Sequence, residues 1–262
     1  MNGATTVWED TYSLDTFDSD WTGQATLQFV CRAMQETAWH HAESIGFNLT
    51  HMERNDIIWI LSRQQIRIHS LPQWKDSVTV RTWYAGREKL LFHRDFELLN
   101  SDGAVLVSAS TAWIALDVQR RRPVRTEQIN HGLPADRPRA VDDPWEALPK
   151  LGEARKGEPF RVFARDLDMS RHANNVCYPE WLLEPLPLEY REGHDLASFD
   201  IAYQTEAVHG EQLVSFLVEE SPESFLHGIV RTTDGKAVST ARSGWHKRSQ
   251  PRPSGWERPG SK

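Results

Sequence analysis

The sequence predicts an α+β chain built as two consecutive units of one kind. Three observations carry this. The segment TLQFVCRAMQETAWHHAESIGF places Leu27, Val30, Cys31, Met34, Ala38, Ala42 and Ile45 on one face at helical spacing, and Gly46 stops it. Four runs rich in β-branched and aromatic residues follow this helix. A second helix and four more such runs then repeat the order downstream, the mark of tandem α+β units with antiparallel sheets.

In order, a first strand is expected around Val7 to Leu14, then the long helix, then strands in IIWILSRQQIRIHS, SVTVRTWYAG, KLLFHRDFELLN and AVLVSASTAWIALD. Asn100-Ser101-Asp102-Gly103 supplies the hairpin turn between the last two. In the second unit FRVFA reads as a short strand and VCYPEWLLEPL as a helix limited by Pro185. Strands follow in LASFDIAYQTEAVH, QLVSFLVEE, SFLHGIVRT and AVSTARSGWHK, with a turn at Thr233-Asp234-Gly235-Lys236. Residues 118–159 hold six of the 14 prolines and no apolar periodicity, so they read as a linker between units spanning 1–117 and 160–247. The tail 248–262 has the same composition and is expected to be disordered.

Composition narrows the setting. The 262 residues are 39% hydrophobic and 10% aromatic, enough for real cores. No apolar run approaches the ~20 residues of a membrane span. The start MNGATTVWED has neither a basic nor an apolar stretch, so no secretory signal is expected. Two cysteines, Cys31 and Cys177, are too few for a disulfide framework and point to a reducing, cytoplasmic setting. A net charge of -7 argues against a general nucleic-acid binder. Of the eleven tryptophans, Trp59, Trp83, Trp113 and Trp245 fall on strand runs, where large aromatics fill cores or line apolar pockets.

One stretch carries chemistry. An Asp-x-Asp element precedes each helix, DSDWTGQAT at 18–26 and DLDMSRHANN at 166–175. Superposed, Asp20 falls on Asp168, Thr22 on Ser170, Gln24 on His172 and Thr26 on Asn174. Thr26 and Asn174 suit helix caps. The imidazole occurs only in the second copy, which suggests that the second unit holds the reaction site and the first has another task.

The motif D-L-D-M-S-R-H-A-N-N-V-x-Y-x-x-W resembles that of the acyl-acyl carrier protein thioesterases, D-x-N-x-H-V-N-N. LSRQQIRIHSLPQWKDSVTVRTW, RDFELLNSDG and STAWIALDVQRRRPVR agree with the same family, so that the likeness spans roughly residues 8 to 247. It implies tandem hotdog domains, each a long helix packed on an antiparallel sheet. It also implies catalytic roles for Asp168 and His172. The block I-A-Y-Q-T-E-A-V-H-G-E is similar to the family's L-E-Y-R-R-E-C, placing Glu206 on the catalytic glutamate. Two positions depart: Ser170 stands for the family's asparagine, and Ala207 for a cysteine of the plant members.

Hydrolysis of a thioester needs an activated water and donors for the oxyanion. The resemblance implies Glu206 as general base, His172 to orient water or thioester and protonate the thiolate, and Asp168 to fix the imidazole tautomer. The roles of Asp168 and Glu206 are interchangeable on sequence grounds. Ser170 would bind the water or the carbonyl with its single hydroxyl. The start of the helix at Asn175 would offer its positive dipole end. Asn174 and Asn175 are expected as caps and substrate contacts, and Met34, Ala38 and Trp59, with Thr37, Leu61 and Phe92, as candidate lining of an acyl slot in the first unit. Cys177 reads as packing, and His40 and His41 lack ligand spacing, so neither a metal nor an organic cofactor is implied. The implied partner is an acyl carrier protein bearing a fatty acyl chain, and the product a free fatty acid. That partner is acidic, so QRRRPVR with Arg161, Arg165 and Arg171 would have to steer it. A CoA thioesterase on the same fold, or an acyl-binding hotdog protein without catalysis, are the rival readings. Either a monomer or a homodimer is compatible with two units in one chain.

Overall fold

The computed structural model describes residues 6–129, 132–149 and 155–249; the predicted disorder of the tail falls almost wholly outside them. The first unit runs β1 (Val7–Ser13), α1 (Leu27–Ser44), α2 (Leu49–Asn55), β2 (Ile57–Ile68), β3 (Ser77–Glu88), β4 (Leu91–Leu99) and β5 (Val105–Asp117). After the two-residue β6 (Arg122–Pro123) and the linker come β7 (Arg155–Arg161), α3 (Tyr178–Leu183), α4 (Leu188–Gly193), β8 (His194–Tyr203), β9 (Gln212–Ser221), β10 (Ser224–Arg231) and β11 (Ala237–Lys247).

All strands join one antiparallel sheet in the order β1-β3-β4-β5-β2-β8-β11-β10-β9-β7, with β6 on β5. Each half has the same internal order, and the halves meet where β2 pairs with β8, from Arg63↔Ala202 to Arg67↔Ser198. This is the tandem hotdog arrangement, related across the β2–β8 seam by an approximate twofold. Both sets of helices pack on one face, over a core that includes Phe29, Met34, Ile66, Phe96, Leu182 and Phe199.

The two helices differ in length. α1 buries the predicted stripe from Leu27 to Ala38 and leaves Ala42 and Ile45 partly buried, is capped by Thr26 Oγ1 accepting from Phe29 N–H, and ends before Gly46 at φ 84°. Its partner is a single 3₁₀ turn at Asn175–Cys177 leading into the six-residue α3, so the long helix expected in each unit is present only in the first. Pro185 removes the amide that would extend it. The strand expected over 196–209 ends at Tyr203, because residues 204–209 turn out of the sheet and carry Glu206 to the loop before α3. The short helices α2 and α4 carry too few apolar positions for a periodic signal.

The connecting segment is pinned to the face of the sheet away from the helices. Arg139 Nε and Ala140 N–H both donate to the fully buried Asp95 carboxylate, at 2.9 and 2.7 Å. Val141 exchanges two 3.2 Å hydrogen bonds with the Ser110 hydroxyl. Gln65 and Arg63 then reach the carbonyls of Pro144 and Trp145, and Arg67 bridges Asp143 and Asp200 across the seam. β6 and a turn at Thr126–Gln128 lie past position 117, and β7 starts five residues before position 160.

Candidate active site

The two Asp-x-Asp loops fold alike. Asp15 N–H donates to Asp18 Oδ2, and Phe163 N–H to Asp166 Oδ2. Asp20 N–H meets the Gln24 carbonyl at 2.7 Å, and Asp168 N–H the His172 carbonyl at 2.8 Å. Oδ1 of Asp20 accepts the amides of Thr22 and Gln24, and Oδ1 of Asp168 those of Ser170 and His172, at 2.8 and 3.3 Å. Each loop needs one residue with positive φ, which is Gly23 at 82° in the first and Arg171 at 64° in the second. A non-glycine there is strained by ~1–2 kcal/mol.

Each loop also seats against a turn from the sheet. Ala25 N–H donates to the Pro72 carbonyl and Ala173 N–H to that of Ala207, at 2.9 and 2.8 Å. The match extends outward: His69 and Ser70 amides share the Leu106 carbonyl, as Gln204 and Thr205 share that of Val238. Leu71 therefore corresponds to Glu206. The positions of His172 and Glu206 are filled by Gln24 and Leu71 in the first unit, so only one copy holds an ionisable pair.

In the second unit that pair is formed. His172 Nε2 lies 3.2 Å from Glu206 Oε2, the imidazole half-buried and the carboxylate exposed. Arg231 fixes the turn by donating to the Glu206 carbonyl at 2.8 Å. The expected contact of Asp168 with the imidazole is absent: its Oδ1 is committed to two backbone amides, which shape the loop from which His172 projects. The carboxylate on the ring is Glu206. Ser170 sits at the exposed tip of this loop, and its hydroxyl has no partner among the described residues. Ala207 is fully buried, with no room for a reacting group.

Asn174 is a cap, its Oδ1 accepting from Val176 N–H at 3.2 Å, and Cys177 N–H donates to its carbonyl. The Asn175 amide is the helix-start donor that this cap does not use. Two tyrosines support the site from below. Tyr203 OH donates to the Asn175 carbonyl at 3.3 Å and to Gln64 Oε1 at 3.5 Å. Tyr178 packs against the rings of Trp181 and Tyr203, at 5.2 and 5.4 Å between centroids. Burial pushes both phenols well above the usual range, so they stay protonated. Sequence reasoning gave neither a role, although Tyr178 stands inside the motif and Tyr203 three residues before Glu206.

A small crevice of about 20 Å³ lies between the units, lined by Asn175, Val176 and Tyr203 from the second and by Met34, Thr111 and Trp113 from the first. Leu61 also lines it. Ala38 and Thr37 are buried further along α1. Trp59 and Phe92 stand apart, packed edge-on at 4.9 Å in a separate cluster with Phe47 and Ile129. Cys177 is buried, its thiol pushed up to about 11 by desolvation, as packing requires. His40 pairs with Asp10 at 2.8 Å, and no cluster suited to a metal occurs among the described residues. No helix among them is long and apolar enough to cross a membrane.

Fold and site together define a tandem hotdog protein with one histidine–carboxylate pair, at the loop before α3 of the second unit. The model of the acyl-ACP thioesterase N-terminal domain matches residues 5–130, and that of the C-terminal domain residues 150–247. The chain belongs to the acyl-ACP thioesterase family. It is 29% identical over 266 residues to the palmitoyl-acyl carrier protein thioesterase of Cuphea hookeriana, covering 93% of this chain and 63% of that relative. With oleoyl-acyl carrier protein thioesterase 2 of Arabidopsis thaliana it shares 26% over 267 residues, 86% of this chain and 72% of the other. Both relatives are chloroplastic by name. In fold it matches an acyl-ACP thioesterase from Bacteroides thetaiotaomicron with a TM-score of 0.84 at 21% identity, over 92% and 98% of the two chains. The 12:0-ACP thioesterase from Umbellularia californica superposes with a TM-score of 0.82 at 24% identity, over 93% and 98%.

Proposed function

We propose that the chain hydrolyses fatty acyl-acyl carrier protein thioesters to free fatty acid and carrier protein, and so ends chain elongation. The observation that carries this is the His172–Glu206 pair at 3.2 Å, present in the second copy of the loop and replaced by Gln24 and Leu71 in the first. Glu206 is the base that takes a proton from water, His172 orients that water or the thioester and returns a proton to the departing thiolate. The Asn175 amide and the Ser170 hydroxyl stand on either side of His172 in sequence as donors for the oxyanion. Asp168 acts through the backbone, by holding the loop.

The acyl chain is assigned to the crevice past Met34, with Ala38 beyond it; Trp59 belongs to a separate cluster and is not given a substrate contact. The partner is read as an acidic carrier protein, met at the mouth by Arg165 and Arg171, both exposed. The two free, buried cysteines suit a reducing cytoplasmic compartment.

Release of free thiol from matched acyl-carrier-protein and acyl-CoA substrates, with His172→Ala alongside, tests the reading. Turnover of the carrier-protein series that vanishes in the variant supports it. Turnover confined to the CoA series would move the partner, and none with either would leave an acyl-binding protein.

A further inference from the structure

The two turns that carry Leu71 and Glu206 are held in different ways. They share a backbone, for Leu14 N–H donates to the Asp76 carbonyl and Val162 N–H to that of Glu211. They also share a brace: Asp76 Oδ2 accepts the Gln73 amide at 2.8 Å, and Glu211 Oε2 the Val208 amide at 3.1 Å. Gln73 and Val208 in turn bridge to Gln24 and His172. The first turn has an apolar anchor as well, because Leu71 is partly buried and packs on the main core. Glu206 has no such hold. Its side chain is 53% exposed, so burial does not fix where the carboxylate stands.

Arg231, the last residue of β10, supplies the missing anchor. Its Nη2 donates to the Glu206 carbonyl at 2.8 Å, its Nη1 to Asp234 Oδ2 at 3.3 Å, and its Nε lies 2.9 Å from Glu211 Oε1. The arginine side chain is only 13% exposed, so its pairing with Glu211 is less screened than a surface ion pair. One guanidinium thereby joins the Glu206 carbonyl to the carboxylate that braces Val208 beside His172. A planar fork with five donors can span these acceptors, which a single ammonium cannot do as well.

The first unit lacks this device. Arg231 pairs with Leu213, the second residue of β9. The matching place beside Val78 on β3 is Asn100, one step past the Thr79↔Leu99 pair. Asn100 is short, and its Oδ1 accepts the amides of Asp102 and Ala104 in its own hairpin. The arginine anchor and the ionisable pair thus occur in the same copy of the unit, and the other copy has neither.

We propose that Arg231 is a positioning residue for the reaction. By tying the Glu206 carbonyl to Glu211 it holds the Glu206 carboxylate against His172, in place of the apolar anchor that Leu71 gives the first turn. This rests on the reading of His172 and Glu206 as the hydrolytic pair.

The test measures kcat and KM with a carrier-protein thioester for Arg231→Gln and Arg231→Lys, each alone and combined with Glu206→Gln. Hydrogen exchange of the amides of residues 204–211 is followed in parallel and needs no turnover. Arg231→Gln is expected to lower kcat by about 10²-fold, the cost of a displacement on the order of 1 Å. KM should change little, because the anchor acts on the reacting pair and not on substrate binding. Arg231→Lys, which keeps the charge and one donor, restores part of kcat and covers a glutamine variant that fails to fold. In the Glu206→Gln background removal of Arg231 should lower kcat no further, since an anchor that acts through Glu206 has nothing left to position. Exchange should rise in residues 204–211 and stay unchanged in the first unit's turn at 69–76. Wild-type kcat in Arg231→Gln, or a loss that multiplies with that of Glu206→Gln, overturns the proposal. A wild type without turnover whose exchange at 204–211 still responds to Arg231→Gln would overturn the hydrolysis reading instead and leave Arg231 as the anchor of the Glu206 turn.

Discussion

His172 and Glu206 face each other at 3.2 Å across the loop–turn junction of the second unit, while Gln24 and Leu71 occupy the same two places in the first. The backbone frame is shared down to individual hydrogen bonds, so it accounts for the structure and leaves the two side chains for the chemistry proposed for them. If so, the pair should be separable from the fold.

Removing either member should therefore abolish turnover while leaving the protein folded. Glu206→Gln and His172→Ala are each expected to lower kcat by 10²–10⁴, about the contribution of a positioned acid or base. Both groups are at least partly exposed, so thermal unfolding should move little. A variant that loses its melting transition along with activity would count against the assignment.

Asp168 should behave differently. Its Oδ1 holds two amides of the loop, so Asp168→Asn, which keeps that oxygen, should retain far more activity than Asp168→Ala. Equal loss in both would return a direct role in proton transfer to the carboxylate. Steady-state kinetics of the two variants decides.

Ser170 stands where the motif resemblance puts an asparagine, a hydroxyl in place of a carboxamide. Ser170→Asn, with two N–H donors in place of one O–H, is expected to keep or raise kcat. An inactive Ser170→Asn enzyme would mean that the loop presents its donors in another way.

Arg171 holds φ 64° where the first loop has Gly23. Arg171→Gly should relieve the left-handed strain, offset in part by the chain entropy of glycine, for a net gain of up to ~1 kcal/mol and a Tm higher by a few degrees. Differential scanning calorimetry measures it.

Acid should destabilise the second unit through His227. It is fully buried, with Nδ1 donating to the Leu182 carbonyl at 2.8 Å and Nε2 accepting from the Ser243 hydroxyl at 2.7 Å. Desolvation lowers it from 6.5 to about 4. The folded value lies below the unfolded one, so this contribution is complete above pH 6.5 and is lost as pH falls toward 4. At the lower limit it is worth on the order of 3 kcal/mol. His227→Gln should flatten the pH dependence of chemical denaturation in that window relative to wild type.

The sequence by itself determined the repeat. The apolar stripe of α1, the alternation in β2 to β5 and β8 to β11, and the turn signals are short-range patterns, and each is set by residues within one element. The motif made Asp168 and His172 candidates and the family-like block at 201–211 added Glu206, because side-chain chemistry is written locally even when its geometry is not. Only the tertiary structure decided which carboxylate faces the imidazole. Asp168 is four residues from His172 and is taken by the loop's own amides; Glu206 comes from a turn 34 residues away that seats against the loop through Ala173 and Ala207. The same holds for the joining of two sheets at β2 and β8, the pinning of the proline-rich segment through Asp95, and the meeting of Arg231 with the Glu206 turn. Each depends on contacts between residues distant in the chain, fixed only when burial and backbone pairing are satisfied for the whole molecule at once.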